Sequence, residues 1–143
     1  MRISEVLHAK SRPGVVTISP EAGVRELLAM LAEHNVGALI VSVDGTAIDG
    51  IVSERDVVRH LHDDGTVINN TVGAIMTAVV ETCDPDSQLD QLMRTMTERH
   101  IRHVPVLDDG ALVGIVSIGD VVKHTMSQLR FERDQLDSYV HQG

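Results

Sequence analysis

The chain has 143 residues, of which 43% are hydrophobic and 23% charged, a composition typical of a globular protein rather than a disordered one. Its formal net charge is −9 and it has no tract rich in lysine and arginine, which argues against nucleic acid as a partner. The only aromatic residues are Phe131 and Tyr139, so most of the chain offers no ring on which a base could stack.

No apolar run approaches the ~20 residues that a membrane helix requires. The N-terminal stretch MRISEVLHAKSRPG also lacks the apolar segment of a secretory signal. We therefore expect no membrane partner and a cytoplasmic location. The single cysteine, Cys83, excludes an intrachain disulfide and a metal site built from several thiolates.

The first half of the chain predicts a strand, a helix, a hairpin and a second helix. The β-rich run VVTIS (15–19) precedes Pro20, which suits the entry of a helix whose apolar residues recur at spacings of three and four. The strand NVGALIVSV (35–43) and the turn DGTAIDG (44–50), with its Asp-Gly, predict a hairpin that GIVS completes. The second helix is predicted in SERDVVRHL (53–61).

The second half repeats this order. The run VVETC (79–83) is followed by Pro85 and an apolar helical pattern, then by the strand HIRHVPVL (100–107), the turn DDGALVG (108–114) and the helix SIGDVVKHT (117–125). Each half therefore reads β-α-β-β-α. Because one such unit could not bury its sheet and both helices alone, we expect the two to pack together with pseudo-twofold symmetry.

The two halves share an almost identical sequence motif, GIVSERDVV (50–58) and GIVSIGDVV (114–122). Together with HNVGALIV (34–41), VGAIMT (72–77) and RHIRHVPV (99–106), these phrases make nearly the whole chain resemble the cystathionine-β-synthase (CBS) domain pair, or Bateman module. The SERD motif of the first half and the SIGD motif of the second resemble in particular those of the stand-alone CBS-pair proteins of bacteria and organelles.

The resemblance implies an α/β (α+β) fold of two CBS domains. The expected division is a first domain with its N-terminal segment (1–68), a second domain (69–124) and a helical tail (125–143). It also implies a non-catalytic energy- or redox-sensing module that binds an adenosine-containing ligand between its domains, with no metal. AMP is the first expectation, with ATP, ADP or NAD as alternatives. We expect a homodimer that acts in trans on an unknown protein.

In that family the aspartate of Ser-x-x-Asp binds the ribose diol and the serine approaches the phosphate. Carried onto this sequence, the resemblance implies the following nucleotide-binding residues. They are Val16, Thr17, Val36, Gly37, Ala38, Ile51, Ser53, Glu54, Arg55 and Asp56 in the first half, and Ile101, Arg102, His103, Ile115, Ser117, Ile118, Gly119 and Asp120 in the second, together with Ser4 and Val80.

These residue types suit that chemistry. A carboxylate accepts hydrogen bonds from two adjacent hydroxyls, and a serine at the start of a helix lies near free N–H groups that favour a phosphate. Arg102 can hold phosphate oxygens with its planar fork, with His103 or Arg55 as further donors. Gly37 lets a ligand approach the backbone, and aliphatic side chains would enclose the adenine.

The two predicted clefts are not equivalent. One is anchored by Ser117 and Asp120, with Arg102 and His103 beside it, and we expect it to prefer AMP. The other is anchored by Asp56 and is expected to be emptier or to take a larger ligand such as NAD.

Other interpretations of the same residues remain open. Ser-x-x-Asp at a helix start is also a capping motif, Arg102 and His103 also suit a solvated rim, and His60-x-His62 is only a weak metal signal. A nucleotide phosphohydrolase or transferase is a second class of function, although no Walker motif or carboxylate cluster is present. A ligand-free structural dimerisation module is a third.

The segment TMSQLRFERDQLDSYVHQG (125–143) lies beyond the repeat. Met126, Leu129, Leu136 and Val140 form an apolar stripe with Arg133 in its gap. We expect this helix to pack across its own module or across a dimer partner.

Overall fold

The structure is a computed structural model that describes residues 1–10, 14–78 and 80–142. Residue 142 is described without its side chain. The helices are α1 (Ile3–His8), α2 (Val24–His34), α3 (Glu54–Asp63), α4 (Val72–Ile75), α5 (Leu89–Arg99) and α6 (Ile118–Gln142), with a 3-10 turn at Val67–Asn69. The strands are β1 (Thr17–Ile18), β2 (Ala38–Val41), β3 (Gly50–Ser53), β4 (His103–Asp108) and β5 (Ala111–Ser117).

The strands form two small sheets, one in each half. In the first, β1 pairs with β2 in parallel and β2 pairs with β3 antiparallel. In the second, β4 pairs antiparallel with β5. Each hairpin is followed directly by a helix, so the predicted mixed α/β class and the repeated hairpin-and-helix order are confirmed.

Each half has its own hydrophobic core, and each core includes a short helix from across the predicted domain boundary. The first core includes Val72 and Ile75 of α4, although α4 precedes the second unit in the chain. The second core includes Ile3 and Val6 of α1, both 0% exposed, although α1 precedes the first unit. The packing therefore crosses the domain boundary predicted at residue 68.

The predicted strands extend too far toward the preceding helices. Asn35, with φ 52°, ends α2 and His100, with φ 55°, ends α5, both in the left-handed conformation. Because these residues turn the chain, β2 begins only at Ala38 and β4 only at His103.

The predicted strand 79–83 is wrong over the residues that the structure describes. Residues 80–82 are irregular, and Cys83 alone makes a parallel bridge, to Val106. Its N–H donates to the Pro105 carbonyl at 3.1 Å and its carbonyl accepts from the Leu107 N–H at 2.8 Å. Val79 lies outside the described residues.

The two prolines precede their helices rather than opening them. Pro20 and Pro85 lie in turns, closed by N–H···O bonds from Ala22 to Ser19 at 3.1 Å and from Ser87 to Asp84 at 3.1 Å. The helices α2 and α5 begin several residues later, so the predicted helix entry is wrong by about one turn.

The second hairpin turn is shorter than predicted. Asp109 and Gly110 have φ of 51° and 82°, and such a pair of left-handed residues closes a two-residue hairpin turn. Residues 111–114 consequently belong to β5 rather than to the turn.

The predicted C-terminal helix is the continuation of α6, a single helix of 25 residues. Side chains 126–141 are all exposed, so the helix projects from its own module instead of packing across it. No helix of the described residues is both long and apolar enough to cross a membrane.

Candidate functional site: a cleft between the two halves

Both Ser-x-x-Asp motifs form capping boxes at the start of a helix. The Ser53 N–H and Oγ–H donate to Asp56 Oδ2 at 2.8 and 3.1 Å, and the Asp56 N–H donates to Ser53 Oγ at 3.3 Å. The corresponding distances between Ser117 and Asp120 are 2.9, 3.1 and 3.2 Å. The capping interpretation of these motifs is therefore confirmed.

The capping box uses only one of the two carboxylate oxygens of Asp56. Both hydrogen bonds from Ser53 end on Oδ2. Within the described residues Oδ1 has no hydrogen-bond partner and is available to accept from a ligand hydroxyl. Capping and ligand binding are thus compatible at this residue.

A cleft of about 700 Å³ lies where the two halves face each other. This volume is within the range typical of small-molecule sites. The cleft is lined by Gly37, Ala38, Ile51, Ser53, Glu54, Arg55, Asp56, Arg59, Thr77, Val80, Glu81, Arg99, His100, Ile101, Arg102, His103, Ser117, Ile118 and Gly119.

Backbone hydrogen bonds hold the two hairpins against the helix starts that line the cleft. The Glu54 N–H donates to the Gly37 carbonyl at 3.0 Å, and the Ile118 N–H donates to the Arg102 carbonyl at 2.8 Å. A Cβ placed on Gly37 would lie 3.7 Å from the His103 ring, so the start of β2 and the start of β4 meet across the cleft.

The cleft lining carries a small net positive charge although the whole chain carries −9, because four arginines outnumber the three carboxylates of Glu54, Asp56 and Glu81. Arg55, Arg59, Arg99 and Arg102 all line it and are all exposed, so they remain reachable by an anion from solvent. Arg99 also lies 3.2 Å from Glu81 in an ion pair.

His103 lies deeper than these arginines and is half-buried. Burial is the largest cause that lowers the pKa of His103 below its ordinary value of 6.5; the Asp120 carboxylate opposes the shift, and Lys10 and Arg102 add to it. His103 is therefore mostly neutral at pH 7 and can donate one N–H to a ligand.

The second aspartate has a different environment from the first. Lys10, just after α1, places its Nζ 3.0 Å from Asp120 Oδ2 and donates a further hydrogen bond to the Ile115 carbonyl. Burial raises the pKa of Asp120, but the hydrogen bonds of Ser117 and the charge of Lys10 outweigh burial and lower the pKa below 3.8.

Most of the predicted site residues line the cleft, and they come from both predicted sites. The structure thus brings Arg102, His103 and Ser117 together with Asp56 and Gly37. The predicted residues that do not line it are Ser4, Val16, Thr17, Val36, Ile115 and Asp120, and a second site built on them stays a prediction.

Five lining residues were missed in the sequence: Arg59, Thr77, Glu81, Arg99 and His100. Arg59 lies one helical turn after Arg55, a spacing that could have identified it. Thr77 lines the cleft because its N–H and carbonyl pair with Ile51 at 2.8 and 3.0 Å, a long-range contact that no local pattern predicts.

In the part of the chain that the structure describes, no three or more His, Cys, Asp or Glu side chains are grouped closely enough to hold a metal ion. The Cys83 thiol has its pKa raised to about 11 by burial and by Asp84, which keeps it protonated.

The family model of the CBS domain matches residues 3–63 and 72–127, so the chain belongs to the CBS-domain family and contains two copies of the repeat. The chain is 34% identical to the CBS domain-containing protein CBSX3, mitochondrial, of Arabidopsis thaliana, over 99% of this chain and 72% of that protein. The predicted tandem pair is confirmed.

Solved structures show the same fold. The CBS-domain containing protein ATU1752 from Agrobacterium tumefaciens has a TM-score of 0.83 and 36% identity, covering 87% of this chain and 99% of that one. The CBS domain pair of protein MJ0100, in complex with 5-methylthioadenosine and S-adenosyl-L-methionine, has a TM-score of 0.77 and 26% identity, covering 87% and 99%.

Proposed function

We propose that this chain is a non-catalytic regulatory module that binds an adenosine-containing ligand in the cleft between its two CBS domains. AMP is the first ligand to test, followed by ADP, ATP and NAD. The observation that carries the proposal is the cleft itself, which joins a free carboxylate oxygen, two helix starts and several arginines.

Each part of such a ligand has a matching group in the cleft. Asp56 Oδ1 can accept from the ribose hydroxyls while Oδ2 keeps its capping bonds. The helix start at Ser117 and the guanidinium of Arg102 suit a phosphate. The apolar side chains of Ile51 and Val80 can enclose the adenine without an aromatic ring.

The similarity to the MJ0100 domain pair supports the adenosine part of this proposal, because that structure contains two adenosyl compounds. The phosphate part rests on the arginines of this chain. The four exposed arginines of the cleft would attract an anion to a protein that is otherwise acidic.

The proposed output is a shift in the relative orientation of the two domains, which a partner protein senses in trans. A ligand that contacts both halves can favour one orientation only through its differential affinity for the two states. Dimerisation of the module with a second copy is part of the same proposal.

The test is calorimetric titration of the wild type and of Asp56→Asn with adenosine, AMP, ATP and NAD. The amide keeps an oxygen for the capping bonds but removes the charge that a ribose diol prefers, so we expect affinity to fall at least tenfold. Asp90→Asn is the matched control, because Asp90 is an exposed carboxylate of α5 that does not line the cleft; it should bind within twofold of wild type.

Equal losses in both variants, or no binding of any of these compounds to the wild type, would refute the proposed site. Incubation of the wild type with ATP and NAD should return them unchanged, and turnover would refute the non-catalytic part.

A further inference from the structure

The C-terminal part of α6 is a feature that the nucleotide cleft does not use. The family model ends at residue 127, whereas α6 continues to Gln142. Its side chains are exposed throughout this extension, and several of them are large and apolar. A helix whose apolar face is left in water has little stability of its own, because most helical stability in proteins comes from packing of an apolar face.

The apolar residues of this helix follow the spacing of a coiled coil. Steps of four and three residues alternate along one seam, which has an arginine at one interior position: Val122, Met126, Leu129, Arg133, Leu136 and Val140. Leu129 is 59% exposed, Leu136 66% and Val140 71%, so the seam has no partner within the described chain. An apolar repeat of 3.5 residues per turn favours a second helix wound around the first in a left-handed supercoil.

We propose that this tail seam, residues 122–140, pairs with the tail seam of a second copy of the chain as an antiparallel coiled coil. A second copy fits because it supplies a helix with the same spacing and the same length. The seam covers almost three heptads, just short of the length at which this pattern alone indicates a coiled coil.

The charges beside the seam favour the antiparallel orientation. In a parallel pair, Arg133 would face the partner's Arg133 inside the seam, and Glu132 would lie beside the partner's Asp137. Both are contacts between like charges, which oppose association.

An antiparallel pair centred near residue 131 removes these contacts and leaves two like-charge contacts at its centre, between the two Arg130 side chains and between the two Glu132 side chains. Arg133 would pack against the partner's Leu129, within reach of the partner's Glu132, and Lys123 would lie near the partner's Asp137. One charged residue at an interior position fixes the register of such a pair at a cost in stability. The tip of each helix, at Val140, would then cover the partner's Val122 beside its module.

The first test compares the association of three full-length proteins by sedimentation equilibrium. Leu129→Glu combined with Leu136→Glu places charges in the seam, and we expect the dissociation constant to rise at least tenfold or one association step to disappear. Phe131→Glu is the matched control, because Phe131 is 64% exposed on the same helix but lies outside the seam. It should remain within twofold of wild type.

All three proteins should unfold at the same temperature at a concentration where none associates, because the altered side chains are exposed. Identical dissociation constants for all three proteins, or an equal loss with Phe131→Glu, would overturn the proposal.

A second variant tests the seam in the opposite direction. Arg133→Leu fills the gap with an apolar residue, and we expect the dissociation constant to fall at least fivefold. Weaker or unchanged association would contradict the proposed packing of Arg133.

The orientation is tested by cysteine cross-linking in a Cys83→Ser background. The combination Met126→Cys with Leu136→Cys should form interchain disulfides on oxidation, because the two positions oppose each other in the antiparallel pair. Met126→Cys alone should not. Efficient cross-linking by Met126→Cys alone would instead show a parallel pair and overturn the antiparallel arrangement.

Discussion

The two aspartates of the repeat occupy equivalent positions in the sequence but differ in their neighbours. Asp56 lines the cleft, and its Oδ1 is free of hydrogen bonds from the described residues. Asp120 is paired with Lys10, whereas no cation of the described residues forms an ion pair with Asp56. A lysine Nζ at this carboxylate would compete with a ligand hydroxyl for the same group.

The ion pair of Lys10 with Asp120 predicts a pH-dependent contribution to stability. In Lys10→Met we expect the free energy of unfolding at pH 7 to fall by about 1–2 kcal/mol, because a half-buried carboxylate loses a charged donor. The pKa of Asp120 is lowered in the folded state, so its contribution is present above pH 3.8 and is lost as the pH falls through the folded pKa.

Urea unfolding at several pH values checks this prediction. The difference between wild type and Lys10→Met should be largest near pH 7 and should shrink below pH 3.8. Arg94→Met is the control, since Arg94 is an exposed cation of α5, and it should leave the curve unchanged. A constant difference at all pH values would show that the ion pair does not act through Asp120.

Sequence reasoning could predict the types of site residue but not their grouping. Ser53, Asp56 and Arg102 were found because their motif repeats and resembles a known family. The arrangement of Arg102 with Asp56 in one cleft depends on how the halves meet, which the spacing within each half does not encode. The Lys10 contact was missed for the same reason, because it joins residues more than a hundred positions apart.

At the scale of elements, hairpins and helices were predictable because their signals are local. Asp-Gly at 109–110 specifies a two-residue turn, and the Ser-x-x-Asp motifs mark the starts of α3 and α6. The strand at 79–83 failed because its apolar residues suit a strand, whereas only Cys83 reaches a neighbouring strand, at Val106. Propensity alone does not reveal whether a partner strand is available.

The turn of the second hairpin, at Asp109 and Gly110, leads to a prediction for a single element. Gly110→Ala should lower the free energy of unfolding by about 1 kcal/mol, because alanine is strained at φ +82°. Its Cβ would meet nothing within 4 Å, so the loss would come from the backbone alone.

Gly65→Ala is the matched control. Gly65 also has open space around its missing Cβ but does not have a left-handed φ, so alanine there should be neutral or slightly stabilising. Chemical denaturation of both variants separates the two cases, and equal effects would contradict the role given to φ.

For the whole molecule, the packing of α1 on the second core links the stability of the two halves. Ile3 is 0% exposed and belongs to the second core, and the backbone N–H of Ile3 donates to the Ser87 carbonyl at 2.9 Å. Val72 and Ile75 supply the corresponding helix to the first core. The first core therefore lies within the continuous stretch 18–76, whereas the second core combines α1 with residues 83–121.

This arrangement predicts that damage to α1 destabilises the second half. Ile3→Ala should lower the free energy of unfolding by about 2–5 kcal/mol, as expected for a large-to-small change in a core. Val43→Ala, at a side chain that is 75% exposed, should change it by less than about 0.5 kcal/mol. Thermal unfolding followed by circular dichroism measures both, and a small effect of Ile3→Ala would contradict the assigned core.

The position of α1 also affects the order in which a newly made chain can fold. Leu7 packs so closely on Gly114 that a Cβ at that glycine would lie 2.6 Å from a Leu7 methyl carbon. During translation α1 leaves the ribosome before the strand on which it docks, which follows on the order of 5–20 s later at ordinary elongation rates. The residues of α1 thus stay without these native contacts until the second hairpin has been made.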